Sequence, residues 1–141
     1  IRGMLREVTE IESIGDSCYN LARTVNRKRT GGNDFTEKQY EHIHQMMQLT
    51  ENALKHMVAI VEDDAHVVDV NHSFNIENEM NNYRSQLKNQ NILDVNNKEY
   101  DYQMGVHYMD LIGECEKLGD YVVNVVEART NVKEKKTNEN R

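Results

Sequence analysis

The chain has 141 residues, enough for one domain with its own core, and its 38% hydrophobic content stands beside 29% charged residues and no proline. A net charge of −7, with no basic stripe interleaved with aromatics, argues against nucleic acid as a partner. No apolar run nears the ~20 residues that span a bilayer and no signal peptide is evident, so this segment is expected to stay out of the membrane.

Taken in chain order, the first helix is expected over about residues 2–29. Met4, Val8, Ile11, Gly15, Cys18, Ala22 and Val25 recur at alternating spacings of four and three, which makes one apolar seam on a helix. Thr30-Gly31-Gly32-Asn33-Asp34 then breaks the pattern. A second helix should start near Thr36, where Thr36 and Gln39 (or Asp34 and Glu37) offer a capping box, with a seam of Tyr40, Ile43, Met47, Thr50, Leu54, Met57 and Val61. The acids of Glu62-Asp63-Asp64-Ala65 suit a tight turn before the positive end of a third helix.

That third helix presents Ile76, Met80, Tyr83 and Leu87, although it is crowded with asparagine, a poor helix former, and ends around 90–97. A fourth, over about 99–131, carries Tyr108, Ile112, Cys115, Gly119, Val122 and Val126 on one seam. Four long amphipathic helices with short connections predict an all-α, antiparallel up-down bundle over residues 1–132. The charged stretch 133–141 has no apolar face and is expected to fray. Because the chain begins with Ile1, already inside a periodic segment, it reads as a piece of a longer protein. Cys18 and Cys115, which lack metal-type spacing, read as small buried hydrophobes.

The segments EIESIGDSCYNLAR (10–23) and ECEKLGDYVVNVVE (114–127) repeat one another. At an offset of 104 positions Glu10, Glu12, Gly15, Asp16 and Asn20 match Glu114, Glu116, Gly119, Asp120 and Asn124, and Ile14 matches Leu118 in kind. In a bundle the first and fourth helices would be neighbours with both motifs facing one core, and the paired glycines would allow close helix approach. Glu12, Asp16 and Asn20, like Glu116, Asp120 and Asn124, are spaced i, i+4, i+8 and form a stripe beside the seam. Carboxylates there need a cation: either a metal ion, or a lysine or arginine from a neighbouring helix.

The pattern Glu-x-x-Gly-Asp-x-x-x-Asn, with a large aliphatic before the glycine, resembles the signature of the PhoU family. The resemblance spans nearly all of 1–131 and implies two three-helix repeats, of which this chain would hold the last helix of the first and all of the second. It implies a non-enzymatic regulatory domain linked to phosphate transport. The wording IESIGDSCYNL is similar to the PhoU-like region on the cytoplasmic side of sodium/phosphate cotransporters. The partner would then be the transporter's membrane domain or a phosphate-signalling protein. A stand-alone regulator of phosphate uptake is the alternative within the family.

Some members hold iron or other metals on Glu/Asp-x-x-x-Asp motifs. Carried over by position, Glu12, Asp16, Glu116 and Asp120 would be the ligands, of iron, zinc or manganese. Glu77 would join from the preceding helix, where Asn81 stands in place of the expected aspartate.

Glu41-x-x-His44 has the local form of a di-iron, ferritin-like ligand pair. It occurs once, flanks the seam and reads as surface; only Asp63…His66 and Asp69…His72 approach it elsewhere. The other histidines, His56 and His107 included, lack a partner spacing, and no phosphate loop, nucleophile elbow or cysteine-based catalytic pattern appears. With no upstream helices to cover it, part of the first seam would lie exposed and favour a homodimer.

Overall fold

The computed structural model describes residues 2–30, 34–62 and 69–131, with the side chains of the first helix followed as far as Val25. Four helices fill these stretches: α1 Arg2–Thr30, α2 Glu37–Glu62, α3 Val70–Asn96 and α4 Tyr102–Thr130. The all-helical expectation holds, with no strand among the described residues. The expected turn at 62–65 and the expected frayed tail lie outside the described residues but for Glu62.

The helix ends follow local chemistry. At the start of α2 the capping box is complete: Gln39 N–H donates to Thr36 Oγ1 at 3.1 Å, and Thr36 N–H donates to Gln39 Oε1 at 2.9 Å. Asp69 caps α3 by accepting from Asn71 N–H at 2.9 Å, and Asp101 caps α4 by accepting from Met104 N–H at 2.7 Å. The fourth helix therefore begins three residues later than the apolar pattern indicates, because Asp101 stops it there.

Packing is centred on α4, which touches each of the other three helices. Its seam is buried as expected: Tyr108, Ile112, Cys115, Gly119, Val122 and Val126 are all inside, with Leu111, Leu118 and Val125 beside them. Helix α3 runs antiparallel to α4, since Met80 meets Gly119 while Asn91 and Val95 meet Gly105. Helix α2 runs parallel to α4, with His42 beside Tyr108 at one end and Val61 beside Arg129 at the other. These three helices form an up-down-up unit. Among the described residues α1 packs on α4 alone, antiparallel to it, with Arg6 paired to Glu127 at 3.1 Å.

Two seams turn differently from expectation. In α2 the buried line is Gln39, Ile43, Met46, Thr50, Ala53 and Ile60, so Tyr40 and Met47 are exposed and Met46 takes the core position. The cause is the competition between adjacent Met46 and Met47, which apolar spacing alone does not resolve. In α1 the reversal is larger. Ile14 and Ser17 are buried, whereas Met4, Val8, Ile11 and Val25 are 69%, 50%, 45% and 39% exposed. Much of the expected α1 seam is therefore exposed among the described residues.

Cys18 is exposed, which corrects its reading as a core residue, while Cys115 is buried. Burial pushes the Cys115 thiol up to about 11, with the Thr50 hydroxyl pulling the other way. With a thiol-reactive chromogenic disulfide at neutral pH, one thiol per chain is expected to react rapidly and the second only on unfolding. Two fast thiols would place Cys115 at the surface and refute this packing.

Candidate functional site

Packing within the chain offers no reason for the acidic stripe to occur twice. On α1, Ile14 faces inward, and residues two positions away on a helix lie on nearly the opposite side. Glu12 and Asp16 are accordingly exposed, as is Gly15. The expectation that both motifs face one core is corrected here. The contact between α1 and α4 uses Ile14, midway between Glu12 and Asp16, together with Ser17, and so turns those carboxylates outward.

On α4 the matching residues are drawn inward. Glu116 and Asp120 are half-buried, and Gly119 between them is fully covered. Arg84 of α3 donates from Nε to Glu116 at 2.8 Å, with the Glu116 side chain 24% exposed. Of the two cations weighed from the sequence, a metal or a neighbour's basic side chain, the second is the one in place at Glu116. The same antiparallel register sets Asn81 level with Leu118 and Gly119, and Glu77 level with Val122 and Val123. Glu77 is buried and accepts a hydrogen bond from Asn81 Nδ2 at 2.9 Å. Glu77 and Asp120 have further interactions of their own. Glu114, the repeat partner of Glu10, accepts from Lys117 at 3.2 Å through one oxygen.

A metal ion on the stripe would need its carboxylates to converge. The two of α1 point to solvent and the two of α4 lie inside, one already held by an arginine. Among the described residues no three or more His, Cys, Asp or Glu side chains come together in a way that would hold an ion. The donors as arranged within one chain do not fit a cluster. Elemental analysis of chelator-free protein is expected to return iron, zinc and manganese well below one ion per chain, equally in wild type and Glu116→Ala/Asp120→Ala. A stoichiometric ion lost with that double variant would show that the stripe closes on metal.

Burial raises the Glu116 carboxyl above its ordinary range, Arg84 opposes the rise, and Asp120 adds to it. The folded chain thus holds this proton more tightly than the unfolded chain. The contribution is complete below the unfolded value near 4.5 and is lost as pH rises through the raised folded one. Wild-type melting temperature should therefore gain on that of Glu116→Gln as pH falls from 7 toward about 5. A difference that is flat or of opposite sign across this window would remove burial as the dominant cause.

A second polar cluster, which sequence reasoning missed, lies where α2 begins and α3 ends. A cleft of about 400 Å³ is lined by Gln39, His42, Asn91, Asp94, Tyr100 and Tyr108 among others. His42 Nδ1 and the Tyr108 hydroxyl are 2.9 Å apart, and Tyr100 donates to Asn91 Oδ1 at 2.6 Å. Burial chiefly, with neighbouring tyrosines and Asp94, pushes the Tyr108 hydroxyl well above the usual tyrosine range, so it stays a neutral hydrogen-bonding group. Spacing gives no hint of this cluster, because its members come from three separate stretches of chain. Glu41 and His44, the di-iron-like pair, are both exposed on α2. Asp69 is likewise exposed and serves as a helix cap. Its backbone oxygen lies 2.8 Å from His56 Nε2, and the His56 and His72 rings stack edge to face at 4.6 Å.

Compared with known proteins, the chain matches the family model described as the PhoU domain over residues 43–128, from Ile43 of α2 to Ala128 near the end of α4. No curated protein and no solved structure matches it. The matched span coincides with the α2–α3–α4 unit and leaves α1 outside.

Proposed function

Because this chain belongs to the PhoU family, we propose that it is the PhoU-like regulatory domain of a sodium-dependent phosphate transporter, held on the cytoplasmic side of the membrane. The coarser part of this statement rests on the family match: a PhoU domain indicates a regulatory role in phosphate homeostasis, and the family is non-enzymatic. The finer part is supported by the likeness of IESIGDSCYNL to the transporter-linked members. In this reading the domain acts by contact, with the transporter's membrane part or a phosphate-signalling protein as the bound partner. No described helix is long and apolar enough to cross a membrane.

The single observation that carries the proposal is the match across three packed helices. Regulation by contact also suits the surface: a chain of net charge −7 turns carboxylates such as Glu12 and Asp16 outward. In this reading phosphate sensing is the partner's role.

The test is sodium-dependent uptake of radiolabelled phosphate in cells expressing a transporter membrane domain, with and without this chain, under phosphate-replete and phosphate-starved conditions. The expected result is co-purification with the membrane domain and an altered ratio of replete to starved uptake. Unchanged uptake with changed expression of phosphate-starvation genes would favour the stand-alone regulator. No change in either readout would refute both.

A further inference from the structure

The cleft where α2 begins and α3 ends has two electrically opposite walls. One wall is Thr36 and the first turn of α2, where the helix dipole is positive and Lys38 adds a cation. Glu37 of the same turn is exposed and suits that dipole. The other wall is the end of α3, where the dipole is negative and the last turn holds no basic residue. It carries Asp94 instead, with Glu99 just beyond. A carboxylate at the negative end of a helix is unfavourable unless a cation faces it. Asp94 Oδ1 accepts from the neutral Gln90 amide at 2.9 Å, and among the described residues no ion pair covers it.

Gln39 is the unusual member of the positive wall. It is 2% exposed and lines the cleft. Its Oε1 is occupied by the Thr36 N–H of the capping box, whereas its Nε2 has no hydrogen-bond partner. A buried donor left in this condition costs about 1–3 kcal/mol. Burial and then Asp94 raise the Tyr100 hydroxyl, and Gln39 draws it down, which puts the Gln39 amide beside that hydroxyl. The geometry still falls short of a hydrogen bond, and the hydroxyl proton is already given to Asn91 Oδ1 at 2.6 Å. A molecule in the cleft would thus meet an unused donor at one wall and a carboxylate short of a cation at the other.

We propose that this cleft binds a small zwitterion, an α-amino acid, whose carboxylate accepts from Gln39 Nε2 and whose ammonium donates to Asp94. A simple anion would face Asp94 and Glu99 uncompensated, and a simple cation would leave Gln39 without an acceptor. A zwitterion satisfies both walls, and each contact is a charge-assisted hydrogen bond. The space of about 400 Å³ exceeds what the charged ends need, and Leu87 and Tyr108 offer apolar surface to a side chain. Every described residue that lines the cleft belongs to α2, α3, α4 or the residues flanking them, and none to α1. The site therefore does not depend on which protein the domain contacts.

The test is proton–nitrogen correlation NMR on the isotope-labelled chain, titrated with the standard L-amino acids one at a time at millimolar concentration. The Gln39 side-chain amide is the reporter. It is identified by its loss in Gln39→Glu, a variant that keeps the capping box through its carboxylate. At least one amino acid is expected to shift this amide saturably. Analogues of it that lack either the ammonium or the carboxylate should bind at least about tenfold more weakly. Asp94→Asn, which can still accept from Gln90, should weaken the complete amino acid by a similar factor and melt no lower than wild type when unliganded. Asp110→Asn, outside the cleft, should bind as wild type does. A Gln39 amide that no amino acid shifts overturns the proposal and leaves that donor to water. An amino acid held equally well without its ammonium, without its carboxylate or by Asp94→Asn overturns it too.

Discussion

Ile112→Ala is expected to destabilise the fold by about 2–5 kcal/mol. Ile112 is wholly buried near the middle of α4, and α4 is the helix that every other helix touches. A cavity at that point opens inside the hydrophobic cluster to which α2, α3 and α4 all contribute buried side chains. Against a total stability of roughly 5–15 kcal/mol for a domain, this is enough to populate the unfolded state measurably. Val8, the repeat counterpart of Ile112 on α1, provides the control. It is 50% exposed, and Val8→Ala should change stability by no more than about 0.5 kcal/mol when measured on dilute protein. Urea denaturation followed by helical circular dichroism measures both. Comparable losses at the two positions would mean that α1 and α4 are equally buried, contrary to this structure.

Gly119→Leu and Gly15→Leu should move stability in opposite directions, although the two glycines occupy the same place in the repeat. At Gly119 the new side chain must displace Met80, which has no exposed surface into which to retreat, and overpacking of this kind costs about 1–3 kcal/mol. At Gly15 the added atoms enter open space, and exchanging glycine for leucine in a helix interior is favourable by about 0.5–1 kcal/mol. Midpoints from denaturant titrations of the two variants, at a concentration low enough to keep chains apart, give the comparison. A loss of similar size at both sites would show that something covers Gly15 within one chain.

Particular residues show how much was legible beforehand. Each helix was visible from periodicity and breakers, and of the two capping boxes open near Thr36 the structure forms the Thr36–Gln39 one. All six residues expected on the α4 seam are buried, but Leu111, Leu118, Val123 and Val125 beside them are buried as well, because α4 packs against three helices and not along one line. Met46 against Met47 was not decidable, since rotating α2 by one residue buries either one. The ion pair that holds Glu116 was open as a class of partner but not as a residue. Arg84 reaches it only because Met80 seats on Gly119, and that sets the register of α3 against α4. The His42–Tyr108 contact joins residues 66 apart and leaves no local trace.

The sequence by itself determined that this protein is all-helical, where its helices lie within a few residues, that α1 and α4 carry copies of one motif, and that the chain belongs with the PhoU family. These are local properties, set by the 3.6-residue period, by capping side chains and by residue identity at short spacing. Only the tertiary structure decided which copy of the motif faces inward. An amphipathic helix with two part-apolar faces can bury either one, and the choice falls to the neighbours available. Helix α4 has α2 and α3 across its seam, so Gly119 is filled and Glu116 finds an arginine. Among the described residues helix α1 packs on α4 alone, which takes the Ile14 and Ser17 side and leaves the seam, Gly15 and both carboxylates turned outward.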